Sequence, residues 1–337
     1  MATDNPTIGV TMGDPAGIGP EITLEAIADE GVREATRLVV LGDVDYLRSL
    51  AADLGIAVEL QAVDSAAEAT AEGPVDVIDF DNVESVEYGE LSAENGRVSL
   101  EYVDRAIELA IEGAVDGLAN APIHKNAISL AGSEYAGHTG MMVDRSGTER
   151  YTALVTDGQL RVTHHSIHVP IVEAVERVTT ESVLETIRVT ADLVPEAGIE
   201  DPSLGVLGLN PHAGDGGVIG DIDDAEISPA IEQARAEGID AAGPLPPDSA
   251  FNLGLEGEFD VMVAMYHDQG HIPVFVNSHV EGGGVSATAI TLGLPFVRTT
   301  TLHGTAYDIA GQGIAAPDSI ISSIEVAADV VRRRQAE

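Results

Sequence analysis

Thr7-Ile8-Gly9-Val10-Thr11-Met12 is followed at once by the turn Gly13-Asp14-Pro15-Ala16-Gly17-Ile18-Gly19 and by Pro20-Glu21. The apolar run has the length of a buried strand, and the glycines and proline after it indicate a turn. The residues from Pro20 to about Ala28 then predict a helix. The stretch is therefore a strand, a turn and a helix, which is the repeating unit of an α/β protein.

The rest of the chain continues this alternation of short apolar runs and amphipathic stretches. Further strands are predicted at 37–41, 75–79, 152–155, 160–163, 204–209 and 260–265. Further helices are predicted at 43–54, 94–112, 180–194, 224–237 and 319–334. Strands that alternate with helices need crossover connections, so we expect mainly parallel sheets with flanking helices. The pair 152–155 and 160–163 is the exception, because Asp157-Gly158 between them is typical of a hairpin.

Lysine is almost absent from this very acidic chain. It carries 57 Asp and Glu against 16 Lys and Arg, a formal charge of −41, and Lys125 is its only lysine. The acidic residues are dispersed, which argues against an acidic tail. Because molar salt shortens the Debye length to about 3 Å, it relieves repulsion between dispersed carboxylates, and we predict a protein from a halophilic source. A strongly basic partner is the alternative, whereas nucleic-acid binding is disfavoured because no basic stripe is present.

Several classes of protein are excluded by what the sequence lacks. There is no cysteine, so neither a disulfide framework nor a thiolate nucleophile or metal site is possible. The first residues lack a basic region followed by an apolar one, and no apolar run approaches the ~20 residues needed to span a bilayer. We therefore expect a cytoplasmic protein with no membrane contact. Its length suits two domains or one large α/β unit.

All ten histidines fall between residues 124 and 303. Three of them, His164, His212 and His267, each come just after a predicted strand. Because parallel strands carry their chemistry at their carboxyl ends, these imidazoles can converge on one crevice. Three imidazoles with an open position suit Zn²⁺ or another borderline divalent ion. The alternative is that each histidine is hydrogen-bonded separately.

Other side chains with catalytic chemistry stand in loops. Lys125 lies in Asn120–Asn126, and an ammonium group kept on an otherwise lysine-free chain indicates a required charge. The Pro-rich loop 244–249 presents the carboxylate of Asp248. Arg298 follows an apolar run as a lone cation at a strand end, where it could bind an anion or form a surface salt bridge. His138-Thr139, between two glycines, is either a polar pair at a site or an ordinary turn.

Together these strings resemble the 4-hydroxythreonine-4-phosphate dehydrogenase (PdxA) family. The matching strings are Thr11–Glu21, Ala121–Lys125, Gly137–Thr139, Thr163–His164, Gly208–Gly217, Gly243–Pro246, Ala264–Gly270, Thr291–Thr299 and His303–Ala306. They occur in family order between residues 8 and 311. The resemblance implies the two-domain isocitrate/isopropylmalate dehydrogenase-like fold. We expect residues 1–130, joined by the C-terminal helix 311–337, to form the first domain and 131–310 the second.

The resemblance also implies an NAD-dependent dehydrogenase that acts as a homodimer, with a divalent metal (Zn, Mg, Mn or Co) at the interface. The implied metal ligands are His164, His212 and His267. The implied substrate-binding residues are His138, Thr139 and Arg298. A metal would lower the pKa of the substrate hydroxyl, and a base among Lys125, Asp248 and Asp268 would accept its proton. Hydride transfer to NAD would leave a β-keto acid that can lose CO₂.

Two positions depart from the family pattern. Phe275 stands where the family has a substrate-contacting lysine, and Ala289 where it has an asparagine. The stretch 276–289 is longer than usual and glycine-rich. Salt adaptation does not explain a phenylalanine, so we infer a changed pocket, in which the phosphate contact is either weakened or moved to His271, His279 or Arg298.

The string His271-Ile272-Pro273-Val274 is closer to the catabolic branch of the PdxA family. In this string the chain is similar to D-threonate and D-erythronate 4-phosphate dehydrogenases. The predicted reaction is oxidation with decarboxylation of a four-carbon 3-hydroxy acid phosphate such as 4-phosphohydroxythreonine. The alternatives are D-threonate or D-erythronate 4-phosphate, an unphosphorylated hydroxy acid, or a non-catalytic metabolite- or metal-binding protein.

Overall fold

The computed structural model describes residues 5–70, 73–279 and 284–336. They form two compact units, one of residues 5–149 and 284–336 and one of residues 150–279. Residues 131–149 and 284–310, which we expected in the second domain, thus lie in the first unit. The reason is packing that the sequence does not reveal: the helix at 138–146 contacts the helix at 93–111, and the strand at 297–301 pairs with the strand at 117–120. The glycines at 282 and 283 in the longer stretch lie outside the described residues.

The described strands and helices follow the predicted alternation. The strands are β1 (Thr7–Thr11), β2 (Arg37–Gly42), β3 (Leu60–Val63), β4 (Val75–Asp79), β5 (Gly117–Asn120), β6 (Thr152–Thr156), β7 (Arg161–His164), β8 (Leu204–Leu207), β9 (Ala241–Leu245), β10 (Val261–Ala264), β11 (Thr288–Leu292) and β12 (Val297–Thr301). The helices are α1 (Gly19–Ala28), α2 (Glu30–Ala35), α3 (Val44–Leu54), α4 (Ala93–Ile111), α5 (Lys125–Leu130), α6 (His138–Ser146), α7 (Ile171–Glu176), α8 (Thr180–Leu193), α9 (Ser228–Ala236), α10 (Pro247–Leu255), α11 (His267–Asn277) and α12 (Asp318–Ala336). Short helical turns lie at Ala66–Glu68, Val194–Ala197, Pro211–Asp215 and Asp223–Ile227.

In the first unit the strands lie in the order β3-β4-β2-β1-β5-β12-β11. The described pairs in it are parallel, except that β11 and β12 are antiparallel. Every residue of β1 is buried, as expected for a central parallel strand covered by helices on both faces. The helix α12 packs on β12, β5, β11 and β1. The predicted α/β fold, with mostly parallel strands and flanking helices, is confirmed.

The turn after β1 is held against the end of β5. The amide of Asp14 donates to the carbonyl of Pro122 at 3.0 Å. Gly13 has φ 77°, and a Cβ there would lie 2.4 Å from that carbonyl oxygen. Only glycine therefore fits this position, because it alone combines the left-handed conformation with so close an approach.

In the second unit the strands lie in the order β6-β7-β10-β8-β9. β6 and β7 form the predicted antiparallel hairpin, in which Asp157 Oδ1 accepts bonds from the amides of Gln159 and Leu160. The other described pairs are parallel, so β7, β8 and β10 end at the same edge. His164 is the last residue of β7, and α11 begins at His267, three residues after β10 ends. The topology thus brings two of the predicted metal ligands to one edge.

No helix among the described residues is both long enough and apolar enough to cross a membrane.

The large negative charge of the chain predicts that added salt stabilises the folded state, because salt screens the repulsion between carboxylates. Even if every lysine and arginine paired with one carboxylate, 57 − 16 = 41 would stay unpaired. We expect the midpoint of thermal unfolding to rise by several degrees between ~0.1 M and ~1 M KCl, because the Debye length falls from about 10 Å to about 3 Å over that range. Differential scanning calorimetry at fixed pH measures this. An unfolding midpoint that stays constant or falls with KCl would contradict the prediction of a halophilic protein.

Candidate active site

The first unit contains a buried arginine that meets only neutral groups. Arg298, the second residue of β12, is 2% exposed. Its Nε donates to Asn120 Oδ1 at 2.9 Å, and its Nη1 donates to the hydroxyls of Thr291 at 3.0 Å and Thr139 at 3.3 Å. Burial lowers the pKa of Arg298 to about 9. A buried cation without a carboxylate partner is costly, so this position suits an anionic ligand.

Two features of this arginine differ from the sequence analysis. It lies inside β12 and not at its end, and its burial excludes the surface salt bridge that was the alternative. It reaches Asn120 because β12 runs parallel to β5, with Thr300 beside Asn120. Asn120 and Thr291 were not predicted as site residues, since only the strand pairing shows that their side chains face Arg298.

The predicted pair His138-Thr139 lies at this arginine. Both residues begin α6, and the Thr139 hydroxyl contacts the guanidinium. His138 Nε2 is buried and makes no hydrogen bond with any described residue. Burial and the nearby charge of Arg298 lower the pKa of His138 to about 3. The structure therefore brings His138, Thr139 and Arg298 together, with a neutral imidazole and a hydroxyl next to an uncompensated guanidinium.

Lys125 lies elsewhere in the first unit and is exposed at the start of α5. Its neighbour His124 caps that helix and packs on Tyr307, with ring centroids 4.6 Å apart and the ring planes tilted by 31°. The Tyr307 hydroxyl donates to the buried carboxylate of Asp14 at 2.7 Å. Burial raises the pKa of Asp14, and this hydrogen bond partly offsets the rise. Lys125 thus stands next in sequence to a polar cluster, with its own side chain exposed to solvent.

The second unit contains a cluster of histidines. His164 Nε2 lies 3.2 Å from His271 Nδ1, and the rings of His267 and His271 stack with centroids 3.8 Å apart. His267 lies 6.5 Å from His164 and 5.6 Å from His168, measured between ring centroids. Burial, followed by the neighbouring imidazoles, lowers the pKa of His164 to about 3 and that of His271 to about 4. The rings of His164 and His271 are therefore neutral near pH 7. Only a neutral imidazole can bind a metal.

Two histidines of this cluster have surroundings typical of metal ligands. His164 Nδ1 is buried and has no hydrogen-bond partner among the described residues. Asp268 Oδ1 lies 2.7 Å from His267 Nδ1, a pairing that leaves Nε2 of His267 for a metal. By contrast, His165, next in sequence to His164, is satisfied by Thr186 and the carbonyl of Arg177. An orphaned buried nitrogen and a carboxylate-oriented imidazole are the arrangement expected around a metal.

The third predicted ligand, His212, stands apart from the other two. It is exposed in the turn Pro211–Asp215, and no three His, Cys, Asp or Glu side chains of the described chain are arranged to hold a metal. Its backbone is left-handed, with φ 54°, as are Ala213 at 52° and Asp215 at 46°. Such residues cost about 1–3 kcal/mol each and persist only where the surroundings hold them. The turn is therefore strained and must be anchored from outside.

The remaining predicted residues are also placed. Asp248 is exposed in the first turn of α10, and the side chain of Asp268 is 69% exposed. Phe275, at the position of the family lysine, is half-buried with its ring 6.3 Å from that of His271. Ala289 is buried in β11, where it pairs with Thr300. His271 was considered only as a phosphate contact, and its place in the histidine cluster was missed.

Known proteins resemble this chain over almost its whole length. The profile of the family described as pyridoxal phosphate biosynthetic protein PdxA matches residues 34–327. The D-threonate 4-phosphate dehydrogenase of Cupriavidus necator is 39% identical over 332 residues, which cover 98% of this chain and 98% of the relative. The 4-hydroxythreonine-4-phosphate dehydrogenase of Desulforapulum autotrophicum is 40% identical over 333 residues, which cover 97% of this chain and 96% of the relative.

A solved structure shows the same fold. The 4-hydroxythreonine-4-phosphate dehydrogenase of Klebsiella pneumoniae is 37% identical, with a TM-score of 0.86, over 97% of this chain and 100% of the solved one. This agreement places the chain among the α/β dehydrogenases. The family match is equally extensive, and the chain belongs to the PdxA family. It is a dehydrogenase of the PdxA type, as the sequence motifs predicted.

Proposed function

We propose that this chain is a metal- and NAD-dependent dehydrogenase that oxidises a four-carbon 3-hydroxy acid phosphate. The observation that carries the proposal is the buried Arg298, whose charge meets only the neutral groups of Asn120, Thr139 and Thr291. A phosphate or carboxylate of the substrate is the natural counter-ion, since a guanidinium binds both groups with paired hydrogen bonds. His138 Nε2, orphaned next to it, supplies a further polar contact.

His164, His212 and His267 would hold the divalent metal, and Asp268 would orient His267 through its Nδ1. When bound, the metal would supply the positive charge that lowers the pKa of the substrate hydroxyl, and NAD⁺ would supply the acceptor for the hydride that leaves the hydroxyl-bearing carbon. The base that removes the hydroxyl proton is Asp248, Asp268 or Lys125, all of them exposed to incoming substrate. The resulting β-keto acid then loses CO₂: the bond to the carboxyl carbon breaks, its electron pair forms an enolate, and the enolate carbon takes up a proton to give the ketone.

A homodimer is part of this proposal. The second unit exposes apolar side chains despite the acidic surface, among them Val172 at 66%, Val218 at 80% and Val276 at 73%. Ile171 of α7 lines a surface pocket of about 410 Å³ together with Tyr266, next to His267. Exposed apolar patches mark protein interfaces. A second copy covering this face would bring an exposed His212 towards a histidine cluster that has no third ligand within the described chain. Analytical ultracentrifugation in molar KCl tests the dimer.

A screen of substrates and metals tests the reaction. In molar KCl, NADH formation is followed with 4-phosphohydroxythreonine, with D-threonate and D-erythronate 4-phosphates and with their unphosphorylated acids, adding Zn²⁺, Mg²⁺, Mn²⁺ or Co²⁺. We expect NADH with at least one phosphorylated acid, and we expect a chelator to abolish it. Turnover of the unphosphorylated acids alone would show that the substrate is a hydroxy acid without a phosphate group. Binding of NAD⁺ without turnover of any acid would instead favour a non-catalytic metabolite-binding protein.

Lys125→Ala should cost activity far more than stability. The side chain is exposed, so the free energy of unfolding should change by less than about 0.5 kcal/mol. If Lys125 moves a proton or binds charge in the reaction, kcat should fall roughly 10²-fold. Lys125→Arg is the matched control, because it keeps the charge but cannot act as a base near neutral pH. Full activity in Lys125→Ala would show that this residue has no catalytic role.

A further inference from the structure

The turn that carries His212 is anchored by a single buried carboxylate. Asp223 is fully buried, and its Oδ1 accepts a hydrogen bond from the amide of Leu209 at 2.7 Å. Its Oδ2 accepts from the amide of Asn210 at 3.3 Å and from Asn210 Nδ2 at 2.7 Å. The two residues held in this way immediately precede Pro211 and His212. The carboxylate therefore fixes the point at which the strained turn leaves β8.

The packing around this anchor leaves no room for adjustment. A Cβ at Gly208 would lie 2.7 Å from Asp223 Oδ1 and 2.8 Å from the Cα of Ala213. A Cβ at Gly214, which has φ 81°, would lie 3.3 Å from Asp223 Oδ2. The turn is thus folded directly against the carboxylate. Its left-handed run at 212 and 213 has the external support that strained backbone requires.

A second buried side chain joins this anchor to the turn that carries His267. Gln269, on α11, is 8% exposed. Its Oε1 accepts from the amide of Met265 at 2.6 Å, and its Nε2 donates to the carbonyl of Gly208 at 2.8 Å. Met265 lies two residues before His267, and Gly208 directly precedes the Leu209-Asn210 pair that Asp223 holds. One amide group therefore fixes the spacing between the ends of β8 and β10.

We infer that Asp223 and Gln269 are positioning residues of the metal centre. Asp223 orients the turn that carries His212, and Gln269 fixes the distance between that turn and the one that carries His267. The inference rests on the proposed function, in which both histidines bind a metal. Neither side chain has an atom available to a metal, because their buried polar atoms are engaged with the backbone and Asn210. They act on the histidines indirectly, through the backbone and the side chain of Asn210, as groups behind metal ligands commonly do.

The test measures metal affinity on the whole protein in molar KCl, by competition between the protein and a chromophoric chelator for Co²⁺. Asp223→Asn replaces one acceptor oxygen with an NH₂ group that faces the donors of Asn210. We expect it to weaken Co²⁺ binding roughly 10- to 100-fold and to alter the visible absorption bands of bound Co²⁺. Asp224→Asn, the same charge change at the exposed neighbouring residue, is the matched control and should bind Co²⁺ like the parent.

Three further variants separate the possible failures. Gln269→Glu keeps the acceptor for Met265 but loses the donor to Gly208, and it decides the question if Asp223→Asn does not fold. His212→Ala reports on the proposed metal centre itself. If His212→Ala loses Co²⁺ affinity but a folded Asp223→Asn or Gln269→Glu variant keeps the parental value, the positioning role of the residue changed in that variant is overturned. The proposed function then stands. Parental affinity in His212→Ala overturns the metal centre, and the positioning roles with it. Gln233→Ala, an exposed glutamine of α9, should leave Co²⁺ affinity unchanged.

Discussion

Replacing Arg298 with methionine should raise KM for the anionic substrate roughly 30- to 3,000-fold, because truncating a buried charge that pairs with a ligand costs about 2–5 kcal/mol. The fold should survive. Methionine has a similar length and carries no charge to bury, so the midpoint of thermal unfolding without substrate should stay constant or rise. Initial rates across substrate concentration and differential scanning calorimetry measure the two effects. Arg105→Met, at a half-buried arginine of α4 that already pairs with Glu108, is the matched control.

The low pKa of Arg298 gives this prediction a pH signature. Burial holds the pKa at about 9 in the folded chain, well below the ordinary value of an arginine in water. Between these two values the unfolded chain binds the proton and the folded chain does not. The free energy of unfolding without ligand should therefore gain from this group as the pH rises through that window. Anion binding needs the charged form, so affinity should fall as the pH rises through about 9. In Arg298→Met this fall should disappear; an identical fall in that variant would assign it to another group.

Replacing His212 with alanine should abolish tight metal binding and lower kcat at least ~10³-fold, since a metal contributes several kcal/mol to charge stabilisation and each ~1.36 kcal/mol is tenfold. The unfolding midpoint should change little, because the side chain is exposed and alanine keeps the same backbone chemistry. Equilibrium dialysis with Zn²⁺ and steady-state kinetics measure these two quantities.

The matched control for losing an imidazole is His279→Ala, at an exposed histidine of the same unit, which should keep parental metal affinity. Full activity and full metal affinity in His212→Ala would remove this residue from the metal centre. Loss of affinity in both variants would point to a general effect of histidine content instead.

The local alternation of strands and helices was predictable from the sequence, since each apolar run and each amphipathic stretch carries its own signal. β1, α3, α4 and the hairpin of β6 and β7 all lie where the pattern places them. The division into two units was not predictable, because it depends on contacts between elements that are distant in sequence. Residues 131–149 join the first unit through the packing of α6 on α4, and residues 284–310 through the pairing of β12 with β5. The helix α11 was also missed, as Gly270 and Pro273 lie within it.

The candidate site shows the same limit. His138, Thr139 and Arg298 were selected by the family motifs, and the structure brings them together. Asn120 and Thr291 carry no motif of their own and become recognisable only once β5, β11 and β12 lie side by side. Asp223 is hidden in another way: it is one of 57 acidic residues, and only its burial separates it from the solvated majority.

The uncompensated charge of Arg298 also bears on the lifetime of the protein. Without an anion, the folded chain carries a cost that the unfolded chain avoids, because unfolding returns the guanidinium to water. A ligand that binds only the folded form lowers the population of opened molecules in proportion to its concentration. Since opened molecules are what proteases degrade, substrate supply would set the abundance of the enzyme as well as its rate.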